Sequence, residues 1–138
     1  TIDLSNREVY FVGENGQGKS NILESLYYSA YGISFRTHVD SQNIKNGEKN
    51  FSLNSFNKKD EVETERVTVI YEGNKKKIEK NGKRIADRKD LINTIPCILF
   101  CHDDMKFPTG EPECRRLFID HSLTLYNFSY IDDVRVEA

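Results

Sequence analysis

Residues Gly13 to Ser20 read Gly-Glu-Asn-Gly-Gln-Gly-Lys-Ser and fit the pattern G-x-x-x-x-G-K-[ST]. No other stretch constrains the fold as strongly, because each position meets a physical need of phosphate binding. Gly13 lets the chain turn out of a strand. Gly16 and Gly18 let backbone N–H groups close on phosphate oxygens with no Cβ in the way. Lys19 supplies a point charge for the β- and γ-phosphates, and Ser20 a hydroxyl for Mg²⁺. The flanks agree with the motif. Glu8-Val9-Tyr10-Phe11-Val12 is apolar and β-rich, which predicts a buried strand. Ile22, Leu23, Leu26, Tyr27 and Ala30 fall at helical spacing, which predicts a helix to about Tyr31 with Gly32 at its C′ position. Strand, glycine-rich loop and helix together separate a P-loop from a coincidental turn.

The rest of the chain is read around this unit. Thr1 to Leu4 reads as a short first strand, and Ile33 to Asn50 as loop with one helical turn. Phe51, Leu53 and Ser55 alternate with polar residues, Asn57 to Glu61 reads as a turn, and Thr64 to Tyr71 is β-branched and alternating. Asn81-Gly82 lies between two further β-like runs and is a strong hairpin signal, since a type I′ turn needs positive φ at both positions. Residues 51–85 therefore predict an antiparallel β-meander. Asp87 to Ile95 predicts a short helix with Asp87 as N-cap, stopped by Pro96. Cys97-Ile98-Leu99-Phe100 predicts a buried strand. A helix is expected to open at Thr109 or Gly110, with Leu117, Phe118, His121 and Leu125 on its inner face, and Ser129 to cap a last helix.

Length and charge set limits. At 138 residues the chain is long enough for one domain with a core. A net charge of −2 argues against a uniformly basic nucleic-acid binder and leaves room for a local basic face. No apolar run approaches membrane-spanning length. Cys97, Cys101 and Cys114 are too few and too irregular for a disulfide framework. They read as reduced structural thiols rather than metal ligands with His102 and His121, which predicts a cytoplasmic home. The first residue is Thr1, and the sequence runs almost at once into the P-loop strand, so a segment of a longer protein is expected.

Three further signals are ambiguous as residues alone. Ile98 to Asp104 has the form of a Walker B strand, an apolar strand ending in Asp103-Asp104, one acid for Mg²⁺ and a second to activate water. It is equally the form of a buried strand entering an acidic turn. Asn57-Lys58-Lys59-Asp60 matches N-K-x-D, the guanine-reading motif of GTP switches, but sits where a turn is expected. Lys75, Lys76, Lys77, Lys80, Lys83, Arg84, Arg88 and Lys89 form a basic cluster around the hairpin. That cluster suits either contact with a DNA backbone or lysines guarding an edge strand.

Four blocks in order resemble the RecF family of bacterial DNA replication and repair proteins. Phe11 to Tyr28 is similar to that family's Walker A region, and Ser34-Phe35-Arg36-Thr37 to its S-F-R-T segment. Leu99-Phe100 to Asp104-Met105 resembles F-x-P-E-D-L. Gly110-Glu111-Pro112 with Arg115-Arg116-Leu117-Phe118-Ile119-Asp120 resembles G-x-P-x-x-R-R-x-F-L-D. The sequence departs from the pattern at His102, where the family has Pro, and at Asp103, where it has Glu.

The resemblance implies an α/β P-loop NTPase: lobe I of an ABC/SMC-type ATPase head with an antiparallel β-subdomain. Residues 1–138 would be an N-terminal part of it, in three pieces at 1–32, 51–85 and 97–138. It implies ATP at Gly13, Glu14, Asn15, Gly16, Gln17, Gly18, Lys19, Ser20 and Asn21, with Mg²⁺ at Ser20. Asp104 keeps the family's acid in a loop that senses the γ-phosphate and metal. Arg36 is a candidate contact to phosphate or DNA, with a structural arginine on a loop as the alternative, and Lys76 and Lys80 are further candidates for DNA. The implied partners are DNA, a second copy of the head brought together by ATP, and recombination-mediator proteins in the SOS response, with no membrane. Weak ATPase activity is expected in the longer chain, and ATP binding without efficient turnover here. The competing expectations are a stand-alone P-loop kinase or nucleotidase using Asp103 or Asp104, and a GTP switch using Asn57 to Asp60.

Overall fold

The computed structural model describes residues 1–58, 63–87, 89–92, 94–100 and 112–126. Helix α1 spans Lys19–Tyr31. It ends where the sequence says it should: Gly32 adopts φ 68°, and its N–H donates to the carbonyl of Tyr28 at 2.8 Å. A left-handed residue lets the chain reverse while satisfying a carbonyl that the helix leaves open. One 3₁₀ turn, Asp40–Asn43, follows in the loop.

Four strands then form one antiparallel meander in sequential order: β1 (Phe51–Lys58), β2 (Thr64–Glu72), β3 (Lys75–Lys80) and β4 (Lys83–Arg84). The register pairs Leu53 with Val69 and Val69 with Ile78, so the apolar side chains of three strands share one face. Asn81 (φ 51°) and Gly82 (φ 76°) are both left-handed, as the type I′ reading requires. A second turn of the same kind joins β2 to β3 through Gly73 (φ 55°) and Asn74 (φ 59°).

That apolar face meets the C-terminal half of α1. Tyr28, Val67, Val69, Ile78 and Leu91 form the buried cluster, with Phe51, Leu53, Ile85 and Ile95 packed against it. Phe51 stands edge-on to Tyr28 and stacks on Tyr71 at 5.5 Å between ring centroids. Leu91 comes from α2 (Lys89–Ile92), which is shorter than the expected helix over 87–95 and opens with the N–H of Asp90 donating to the carbonyl of Asp87. Helix α3 spans Pro112–Tyr126 and places Pro112 at its first position, where a missing N–H is harmless.

Three expected strands are not formed. Residues 1–4, Glu8–Val12 and Cys97–Phe100 pair with no strand among the described residues. Val12 is 92% exposed and Ile98 74%, against an expectation of burial. A strand exists through its neighbours' hydrogen bonds, and the meander satisfies its own strands without lending an edge to these segments. On α3, Phe118 is 39% exposed, so the expected inner face is not closed there. The start of β1 agrees with expectation, but the strand continues through Asn57 and Lys58, where the sequence predicts a turn. The expected helix at Ser129, and Cys101 to Glu111 with Asp103 and Asp104, lie outside the described residues.

Leu91 is fully buried and links α2 to both α1 and the sheet. Leu91→Ala is expected to destabilise the protein by about 2–5 kcal/mol, measured as a lower urea midpoint with an unchanged slope.

Candidate phosphate-binding site

The loop from Gly13 to Gly18 runs into α1 through two left-handed glycines, Gly16 (φ 84°) and Gly18 (φ 86°). A side chain at either would be strained whatever the space around it. Gly18 is the N-cap, and no side chain caps the helix. The first intrahelical bond is made by the N–H of Ile22 to the carbonyl of Gly18 at 3.1 Å. The amides of Lys19, Ser20 and Asn21 thus sit at the positive end of α1 with neither a helical partner nor a side-chain cap. An anion supplies what such a start lacks, so the residues present fit the phosphates of a nucleotide.

Lys19 Nζ donates to the carbonyls of Gly13 (2.8 Å) and Glu14 (2.6 Å). The side chain bridges the mouth of the loop and fixes its curvature. An ammonium has three N–H donors, so it can keep both bonds and still meet a phosphate oxygen. Ser20 is exposed beside it. Among the described residues no group of three or more His, Cys, Asp or Glu side chains could hold a metal ion. A Mg²⁺ ion here would rest on Ser20 and on phosphate oxygens, the usual division of labour for this metal.

The S-F-R-T segment folds back onto the same end of α1. Arg36 Nη1 donates to Asn21 Oδ1 (3.1 Å) and to Glu24 Oε2 (3.2 Å). The Ser34 hydroxyl donates to Glu24 Oε1 and accepts the N–H groups of Arg36 (2.9 Å) and Thr37 (3.2 Å). Arg36 is therefore held against the first turn of α1, beside Asn21. Ser34 and Glu24, which hold it there, carried no expected role. A serine two residues before an arginine is a local turn signal that could have pointed to Ser34.

Two of the expected DNA contacts are placed differently from Arg36. Lys76 and Lys80 share the inner face of β3 with Ile78, by strand alternation. Lys80 pairs with Glu65 at 2.9 Å, and Lys76 pairs with Asp40 at 2.9 Å. Both side chains are about three-quarters buried, at 28% and 24% exposed. Asn57, the first residue of the N-K-x-D match, donates its amide to the carbonyl of Thr94. That bond ties β1 to the turn after α2 and gives Asn57 a structural task.

Behind the loop, Tyr27, Tyr31 and Phe35 form an aromatic cluster, and the Tyr31 hydroxyl donates to the carbonyl of Cys97. Cys97 is a free, half-buried thiol whose pKa burial raises. Burial also pushes Tyr31 up to about 12, with Cys97 and then Tyr27 adding to the effect.

The comparisons with known proteins agree with this geometry. Residues 1–107 match the AAA domain family, and the chain belongs to it: it is a P-loop protein of the ABC/SMC-like ATPase type. Within that class its relatives are RecF proteins. The chain is 47% identical over 135 residues to the DNA replication and repair protein RecF of Treponema pallidum (strain Nichols), covering 96% of this chain and 38% of that protein. To the RecF protein of Clostridium novyi (strain NT) it is 33% identical over 120 residues, covering 87% of this chain and 33% of that one. A solved structure of the recombination mediator protein RecF with ATP in the RecFOR pathway superposes with a TM-score of 0.77 at 25% identity. The match covers 88% of this chain and 34% of the solved one. The chain thus spans about a third of the length of the RecF proteins it matches.

The raised Tyr31 pKa has a definite sign. The neutral phenol is favoured in the fold, so its contribution is complete below about pH 10 and is lost as pH rises toward about 12. Thermal melts across that window should show falling stability, with a shallower fall in Tyr31→Phe. An identical fall in the variant would contradict the assignment.

Proposed function

We propose that this chain is the nucleotide-binding lobe of an ATP-dependent DNA-binding protein of recombinational repair and replication-fork maintenance. The observation that carries the reading is the uncapped start of α1 behind Gly16 and Gly18, with Lys19 across the loop mouth. ATP is seated with its phosphates on the backbone amides of Gly13 to Asn21, and Mg²⁺ on Ser20. The RecF–ATP neighbour supports ATP as the nucleotide. Arg36, bonded to Asn21 at the start of α1, is the candidate side-chain contact to the same phosphates. Bound ATP brings two heads together on DNA, hydrolysis releases the DNA, and recombinase is loaded at gaps together with mediator proteins. The setting is the cytoplasm and the SOS response to DNA damage.

Because Lys76 and Lys80 are ion-paired on the inner face, we propose the other face of the meander as the DNA contact. Lys58, Arg66, Lys75 and Lys77 alternate outward there and outnumber Glu72 and Glu79, with Lys77 paired to Glu79 at 2.5 Å and 51% exposed. Phe56, 69% exposed, lies under the Arg66 guanidinium at 5.6 Å, and Asn54 fixes that guanidinium from the side at 2.8 Å. A basic surface with a supported aromatic suits a phosphate backbone and an unstacked base.

Two measurements test the reading in the full-length protein. Lys19→Ala should weaken ATP binding at least about tenfold in a fluorescent-nucleotide titration, since it removes a charge-assisted contact. Equal affinity would sink the nucleotide assignment. Lys58→Glu with Lys77→Glu should lower DNA affinity and reduce the salt slope by about 2, while the same exchange at Lys80 should leave the slope unchanged. The opposite pattern would return the contact to the inner face.

A further inference from the structure

Lys76 has no place in the phosphate chemistry, yet it is held on several sides. Its ammonium donates to the carbonyl of Gly32 (2.8 Å) and to Asp40 Oδ1 (3.1 Å), and pairs with Asp40 Oδ2 (2.9 Å). It also lies 5.5 Å from the centre of the Tyr28 ring, whose hydroxyl donates to the same carboxylate. The chemistry explains why a cation stands here. Gly32 caps α1, where the last carbonyls are left open at the negative end of the helix dipole. Asp40 is three-quarters buried and needs a partner. One ammonium serves both.

Gly32 and Asp40 are also the two ends of the segment 33–39, which carries Arg36. Along that segment Ser34 is buried and makes a turn around Arg36 and Thr37, while the Thr37 hydroxyl donates to Gln42 and accepts from the N–H of Val39. The segment is thus pinned in the middle to Glu24, on the early part of α1, and at both ends to a lysine of β3. The guanidinium of Arg36 in turn bonds Asn21 Oδ1, on the residue after Ser20.

We infer that Lys76 is a positioning residue for the nucleotide. It closes the two ends of the segment 33–39 and thereby holds Arg36 over the first turn of α1, so its effect on ATP affinity runs through Arg36. This rests on the nucleotide reading above. A lysine that only ties the meander to α1 would change stability alone. A lysine that contacts DNA would change the salt slope and leave ATP affinity as it was.

The test is a double-mutant cycle on ATP affinity in the full-length protein, read by fluorescent-nucleotide titration, with Lys76→Met, Arg36→Ala and the pair. Each single change is expected to weaken binding by roughly five- to tenfold, and adding Lys76→Met to Arg36→Ala by less than about twofold. Asp40→Asn replaces the ion-paired Oδ2 with an NH₂ that repels the Lys76 ammonium, keeps Oδ1 as the acceptor for Tyr28, and should follow Lys76→Met; it decides the matter by the same cycle if Lys76→Met does not fold. Full additivity, or a lower Tm with unchanged ATP affinity, would overturn the inference, as would an Arg36→Ala protein that binds ATP normally. Lys19→Ala run alongside separates the levels. If Lys19 matters and the cycle is additive, only the role of Lys76 falls. If Lys19→Ala binds ATP as well as the unaltered protein, the nucleotide reading falls and this inference with it.

Discussion

The contact of the Tyr28 ring with Val67, Val69, Ile78 and Leu91 is the interaction on which the described structure rests. It sits near the C-terminal end of α1, where Tyr28, Ser29 and Ala30 are all buried. Removing these apolar groups from water is the main force that joins helix and sheet. Because burial is concentrated at this end, the other end of α1 remains in solvent. The same helix therefore has an anchored end, which fixes its direction, and an open end, whose dipole and unpaired amides are free to act on an anion.

Polar contacts extend this arrangement toward the phosphate loop. Glu24 lies between the two ends of α1 and takes both Ser34 and Arg36. Asp40 takes both Tyr28 and Lys76. Each carboxylate joins an element of the sheet or loop to α1, and each is largely removed from water with its partners in place. The phosphate loop, the Arg36 segment and β3 are thus parts of one connected framework, although they are far apart in the chain.

The sequence made local features legible and non-local ones much less so. The glycine turns of the phosphate loop, the end of α1 at Gly32 and the Asn81-Gly82 turn depend on backbone demands that particular residues announce, and these form as read, while the strand expected ahead of the loop does not among the described residues. The Gly73-Asn74 turn follows the same rule, with the order of the two residues reversed. The segments Glu8–Val12 and Cys97–Phe100 had the composition of buried strands, but composition cannot supply a neighbouring strand, and the described residues hold none for them. Lys76 and Lys80 were read from their charge as surface contacts. Strand alternation had already put them on the face of Ile78, and only the positions of Asp40 and Glu65 reveal why a charge is tolerated there. Clustered like charge along a strand is two populations, one per face.

The account's central claim is that ATP engages the open end of α1 and is felt along the framework tied to it. Amide hydrogen exchange of the full-length protein with and without MgATP tests this most directly, because it reports protection segment by segment. The account predicts slower exchange at 13–21 and at 33–40 when MgATP is added, with little change at the meander's outer turn at Gly73 and Asn74. Unchanged exchange at 13–21, or protection confined to other segments, would contradict it.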